Sequence, residues 1–163
     1  MKKAWIRFTV LLILAILFLS FALFAGVLAP FDPLESHYAD MLKAPNSTYI
    51  FGTDQLGRDL FSRILYGGKS SLLIAFTVTA IISSVGILVG TIAGFTGGIF
   101  DNLLMRFSDM LMAFPGYIFT IALVSFIGVG LPNMILAMSL TGWTYYARIS
   151  RSLVLSVKNN VYI

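Results

Sequence analysis

The chain has 163 residues, of which 58% are hydrophobic and 11% charged, with a formal net charge of +4. Soluble domains are ordinarily about one quarter charged, and the apolar excess here is gathered into long uncharged runs, so the solvent these residues suit is lipid. The basic residues stand at the ends of the apolar runs and form no basic face, which excludes nucleic acid as a partner; with no cysteine and one histidine, His37, there is no disulfide framework, no thiolate metal site and little catalytic material.

The first uncharged run, Phe8 to Ala29, follows Lys2, Lys3 and Arg7. As a helix it would measure about 33 Å, enough for a hydrocarbon core of about 30 Å. A signal peptide has the same basic-then-apolar order, but its apolar region is about 7–15 residues long. A retained transmembrane helix over 8–29 is therefore expected. Residues 30–69 form the only sizeable polar stretch. Pro30, Pro33 and Pro45 with scattered acids read as an extended loop. Thr53 to Tyr66 reads as a short amphipathic helix over 53–66, with Leu56, Leu60, Phe61 and Ile64 on one face. Thr53 would cap its first turn, and Asp54–Arg58 and Asp59–Arg63 are acid-before-base pairs four apart. Two readings stand for this segment: a helix lying in the outer interface, or a contact surface for an extracytoplasmic partner.

The second run predicts a helix near 70–96 that ends at Gly97-Gly98. Gly86, Gly90 and Gly94 recur every four residues, with Gly98 continuing the row. Such a row makes a groove for close helix packing, which is compatible with a sliding contact during alternating access. The third run, Met110 to Ala147, is too long for one span and is interrupted by Gly128-Val129-Gly130-Leu131-Pro132-Asn133. Two helices near 104–127 and 133–153, joined by a tight hairpin, are expected. Pro115-Gly116 should kink the first of them. Arg106 and Asp109, three apart, should pair near the cytoplasmic boundary, with ATPase contact as a lesser reading. Trp143, Tyr145 and Tyr146 precede Arg148 and Arg151, the order of a headgroup-level aromatic belt followed by interfacial cations. The fold class is thus all-α, a polytopic protein with four transmembrane helices. Its segments are 1–68, the first span plus the polar stretch, and 69–163, the remaining spans. With the N-terminus cytoplasmic, Lys2, Lys3, Arg7, Arg106, Arg148, Arg151 and Lys158 lie inside and Lys43, Arg58, Arg63 and Lys69 outside, the favoured asymmetry.

Several motifs carry no chemistry. Gly68-Lys69-Ser70 looks like the tail of a phosphate-binding loop, but Arg63 stands where that pattern needs glycine. Met105, Met110, Met112, Met134 and Met138 read as packing residues rather than soft-metal ligands. His37 with Asp32, Glu35 and Asp40 reads as a solvated acidic loop, and the Asn46-Ser47-Thr48 sequon as accidental. No catalytic residue, metal site or cofactor is expected. The spans also lack a deep charged group before Arg148, apart from Asp109 at the start of the third. Ion-coupled carriers usually need such a group at the midplane.

Phe51-Gly52-Thr53-Asp54-Gln55-Leu56-Gly57-Arg58-Asp59-Leu60-Phe61-Ser62-Arg63 resembles the GTDxxGRDxxSR signature that precedes the core domain in C-type permeases of peptide and nickel ABC importers. Gly68-Lys69-Ser70-Ser71-Leu72, Gly97-Gly98 with Asp101, Met105-Arg106, Asp109-Met110, Ala113-Phe114-Pro115, Trp143, Ala147-Arg148, Arg151-Ser152-Leu153 and Tyr162 resemble later family positions in the same order. The resemblance implies a type I ABC importer permease fold in the bacterial cytoplasmic (inner) membrane. It implies a second permease subunit, two cytoplasmic ATPase subunits and an extracytoplasmic solute-binding protein as partners, in contact with membrane lipid. The solute would be nickel or a di- or oligopeptide. In that family the fourth span leads to a cytoplasmic EAA loop that docks on the ATPase, and two spans follow. Here the sequence reaches Val161-Tyr162-Ile163 where that loop should begin, so the resemblance is to the N-terminal part of a permease, truncated before the EAA loop. The alternatives are an ion-coupled carrier or channel subunit, and a non-transporting membrane anchor.

Overall fold

The structure, a computed structural model, describes the backbone of residues 2–158 and the side chains of residues 5–158. The side chains of Lys2 and Lys3, and all of Val161, Tyr162 and Ile163, lie outside the described residues. The described chain is all-α. Its elements are α1 (Lys2–Leu23), α2 (Ala25–Leu28), a single 3-10 turn (Tyr38–Asp40), α3 (Leu60–Thr96), α4 (Gly98–Met112), α5 (Gly116–Ile127) and α6 (Leu131–Lys158). The chain falls into two compact units, Met1–Leu73 and Ile74–Ile163, and α3 contributes to both.

Burial is inverted relative to a water-soluble domain. Several of the well-covered side chains are polar, among them Thr53, Asp59, Ser62, Asp101, Ser108 and Thr144, whereas Leu11, Phe76, Phe126 and many other large apolar groups are exposed. Water would penalise that much apolar surface; lipid does not, and it leaves polar groups as the ones needing internal partners. Trp5–Leu23 and α3 are each long and apolar enough to cross a membrane, and α4 with α5 would make a third if they form one bent span.

Two expectations about these helices are corrected, and a third is met in part. The predicted helix over 53–66 and the one near 70–96 are not separate: residues 53–59 form a turn closed by a Thr53–Asp59 bridge, and one helix of 37 residues starts at Leu60. The span near 104–127 is not a kinked continuous helix. It stops at Met112 and restarts at Gly116, with an 80° bend between α4 and α5. Pro115, at φ −59° and ψ 114°, cannot donate to the preceding turn and also disfavours helical geometry at Phe114, so a clean break is cheaper than a kink. Of the four expected spans, the described residues supply two helices long and apolar enough to cross a membrane, or three with α4 and α5 taken as one bent span. Pro132, Asn133, the polar stretch around Thr144 and the two arginines dilute the apolar character of α6, which does not meet the length-and-composition test that α1 and α3 pass.

Candidate functional site

In the first unit, the signature residues build a self-closing polar turn. Asp54 is its hub. Its Oδ1 accepts from the backbone N–H groups of Leu56 (2.8 Å) and Arg58 (3.0 Å), and its Oδ2 from Arg58 Nε (2.8 Å) and Arg63 Nη1 (2.9 Å). Thr53 sits one residue earlier. Its backbone N–H donates to Lys43 O (3.0 Å), and its hydroxyl accepts from Lys43 N (2.9 Å) while donating to Asp40 O. Asp59 is the N-cap of α3, where its Oδ2 accepts from Ser62 N (2.8 Å) and Ser62 Oγ (2.6 Å). Ser62 Oγ in turn accepts from Phe31 N (3.2 Å).

The glycines are there for two reasons at once. Gly52 and Gly57 have φ of +75° and +73°, which a side chain resists. A Cβ on Gly57 would also collide with the His37 carbonyl, and one on Gly52 with Lys43 O. Asp40 completes the knot, taking Tyr49 OH (2.6 Å) on one oxygen and Lys43 Nζ on the other. Sequence reasoning found the Asp54–Arg58 pair. It assigned Arg63 to Asp59, but Arg63 reaches Asp54, because Asp59 is turned inward to cap the helix. Thr53 likewise anchors the loop to residues 40 and 43 and caps nothing.

Burial by itself would raise the Asp54 carboxyl, but the Arg58 backbone N–H, the Arg58 guanidinium and the Leu56 amide outweigh it and push the pKa from 3.8 down to about 2. The folded-state value is the lower one, so Asp54 contributes its stability above the unfolded value and loses it as pH falls toward 2. Acidifying the detergent-solubilised protein from pH 4 to pH 2 should lower the amide protection factors at Leu56 and Arg58, taken relative to the intrinsic rate at each pH, well before those of the α3 amides. An equal loss of protection at both places would contradict this role for Asp54.

In the second unit, α6 is clamped from two sides. On the α3 side, Gly86, Gly90 and Gly94 face it so closely that added Cβ atoms would meet Trp143 O (2.5 Å) at Gly86, the Ala147 carbonyl at Gly90 and Val154 Cβ (2.9 Å) at Gly94. Ala93 and Ala147 are fully buried beside this seam. Gly98 does not continue the row: it lies past the end of α3 as the first residue of α4, at φ +64°, with nothing within 4 Å of its Cβ position. On the α4 side, Asp101 accepts a fork from Arg151, Nε to Oδ1 at 2.5 Å and Nη2 to Oδ2 at 2.6 Å. Arg148 pairs with Asp109, and Phe107 stacks on Trp143 with ring centroids 6.4 Å apart.

The expected Arg106–Asp109 pair is therefore replaced. Asp109 is taken across the interface by a residue on α6, and Arg106 forms no ion pair among the described residues. Pro115 and Gly116 mark the α4–α5 break, where a Cβ on Gly116 would come within 3.9 Å of Thr141 Oγ1. The two ion pairs differ in weight. Asp109 and Arg148 expose 60% and 45% of their side chains, and such pairs contribute about 0–1 kcal/mol. Asp109→Asn should thus leave the unfolding midpoint in mixed micelles within a degree or two of wild type. A large drop would mean that this pair is covered by something beyond these residues.

The binding-protein-dependent transport system inner membrane component family matches residues 86–163, the α3–α6 seam and both ion pairs included. Over the whole chain, the sequence is 36% identical to the oligopeptide transport system permease protein OppC of Bacillus subtilis (strain 168), with 99% of this chain and 55% of that protein aligned. It is 35% identical to the nickel transport system permease protein NikC of Escherichia coli (strain K12), covering 100% of this chain and 58% of that protein. It is 34% identical to the dipeptide transport system permease protein DppC of Bacillus subtilis (strain 168), covering 100% and 51%. The chain belongs to this permease family. It spans little more than half the length of these curated relatives. As a permease-family chain it is a multi-pass membrane protein, and ahead of the matched residues each of Gly52, Thr53, Asp54, Gly57, Arg58, Asp59 and Arg63 holds part of one turn.

Proposed function

We propose that the chain forms part of the permease subunit of a binding-protein-dependent ABC importer, lining half of a translocation pathway for nickel or di- and oligopeptides across the cytoplasmic membrane. The observation that carries this is identity of about one third along the entire chain to permeases named for those solutes. A second permease subunit would supply the other half. Two cytoplasmic ATPase subunits would drive the switch between outward- and inward-facing states, and an extracytoplasmic solute-binding protein would deliver the cargo. The N-terminus is cytoplasmic in this reading, since that orientation leaves the larger share of Lys and Arg inside. The chain itself performs no chemistry. Its charged residues at Asp54, Asp101 and Asp109 are engaged by arginines in holding helices and turns.

The test is uptake by the full-length protein in proteoliposomes with its candidate ATPase and permease partners. Uptake should need internal ATP and survive a protonophore. Uptake that collapses with the protonophore while ATP is held high would replace this reading with an ion-coupled carrier. Intact uptake in cells lacking the full-length protein would favour a non-transporting anchor.

A further inference from the structure

Asp101 is the most thoroughly covered acid in the second unit, 6% exposed, and both of its oxygens are spent on one residue fifty positions away. A covered carboxylate carries a desolvation cost that only well-directed, charge-assisted donors offset. Such an arrangement is not needed to hold two apolar helices together, because an apolar pair of the same size would serve. Its geometry instead fixes an angle. The planar guanidinium of Arg151 meets the carboxylate with two bonds, which sets the orientation of the arginine as well as its distance.

The place matters as much as the pair. Asp101 lies in the first turn of α4, where its backbone N–H donates to Gly97 O (3.4 Å). At the same level α3 ends: Gly94 faces Arg151 O, 3.1 Å from an ideal Cβ, as well as Val154. One further turn along α6, Lys158 Nζ donates to Phe95 O (2.8 Å), a carbonyl of the last turn of α3. The intervening Gly97-Gly98 turn runs through φ of +67° and +64°. Three helix ends, the finish of α3, the start of α4 and the last turns of α6, are thus tied at one point by a fork, a glycine contact and a lysine cap.

We propose that Asp101 and Arg151 are positioning residues that lock the end of α6 to the α3–α4 turn, so that movement applied at the end of α6 is carried to α3 and α4 as one body. Gly94 permits the approach, Arg151 sets the angle and Lys158 closes the far side. The outer pair, Asp109 with Arg148, is far more exposed, at 60% and 45% of the side chains, and is no part of the lock. The inference rests on the importer reading for its use in transport, but the mechanical part stands without it.

Two measurements separate those parts. Spin labels at the exposed positions Ile99 on α4 and Val157 on α6 report their separation in the full-length protein in nanodiscs. Wild type should give one narrow distance distribution. Asp101→Asn should broaden it, and the exchange Asp101→Arg with Arg151→Asp should narrow it again. In the assembled importer, Asp101→Asn should lower solute taken up per ATP hydrolysed by about ten-fold, with the exchanged pair recovering most of it. If Asp101→Asn does not accumulate, Arg151→Lys keeps the charge without the fork and should broaden the distribution partway. A distribution as narrow in Asp101→Asn or Arg151→Lys as in wild type overturns the lock. Broadening with an unchanged uptake-to-ATP ratio overturns its part in transmission. A wild-type protein with no ATP-dependent uptake would instead remove the importer reading and leave the distance result standing.

Discussion

Gly90→Val is expected to leave little folded protein. The added Cβ alone would overlap the Ala147 carbonyl group, whose carbon lies 2.8 Å from the ideal Cβ position. The obstacle is backbone of α6, so no side-chain rotation relieves it and the helices must separate. Overpacking of ordinary cores costs about 1–3 kcal/mol; here the upper end or beyond is expected, since separation also strips the contacts of Gly86 and Gly94. Unfolding of the full-length protein in mixed micelles with increasing SDS measures the loss. Gly67→Ala is the matched control: it lies on α3 with nothing within 4 Å of its Cβ position, and a helical glycine replaced by alanine gains about 0.5–1 kcal/mol. Equal midpoints for the two variants would show that the seam is not as tight as described.

The second large effect is expected from Asp54→Ala. The substitution removes the acceptor for two amides and two guanidinium groups in a single step. Hydrogen bonds to charged groups contribute about 1.5–3 kcal/mol each and are not additive within one cluster. A loss of about 3 kcal/mol in the stability of the turn is expected. Limited proteolysis reads it, as rapid cleavage between residues 40 and 59 in the variant at conditions that leave wild type intact. Asp32→Ala removes only the Leu34 N–H acceptor on an exposed loop and should leave the cleavage pattern unchanged. Comparable cleavage of both variants would deny Asp54 its place as the hub.

The apolar runs were legible in the sequence because lipid-facing segments need no periodicity, only length, but their helix bounds were not: the expected helix over 8–29 is Lys2–Leu23 followed, after a turn at Phe24, by Ala25–Leu28, and the one near 70–96 belongs to a helix that starts at Leu60. The misread segments are those where two local signals compete. Leu56, Leu60 and Ile64 stand at helical spacing, yet Asp54 captures the amides of Leu56 and Arg58 with its own side chain and Gly57 adopts a left-handed conformation, so the helix waits until Leu60. The sequence signal that could have found this was Asp59 before an apolar run with Ser62 three residues later, a capping arrangement. The ion pairs failed for another reason. Neighbour rules within a helix favour Arg106 for Asp109 and Arg63 for Asp59. The structure chooses Arg148, thirty-nine residues from Asp109, and for Asp101 it chooses Arg151, fifty residues away. Those partners depend on how α4 lies along α6, which no spacing rule encodes. Gly86, Gly90 and Gly94 were identifiable as a row, but the helix they face was not.

The break at Pro115 bears on how this protein is made. α5 has 12 residues, about 18 Å of helix, well short of a hydrocarbon core of about 30 Å. Released alone from the ribosome into an insertion channel, it would present the free carbonyls at its end to lipid, where nothing can solvate them. Asn133, which arrives with α6, donates its side-chain amide to Gly128 O (2.9 Å) and Ile127 O (3.3 Å) and satisfies two of those groups. The end of α5 is therefore satisfied only once the first turn of α6 is in place, so the two helices are expected to insert together rather than one after the other.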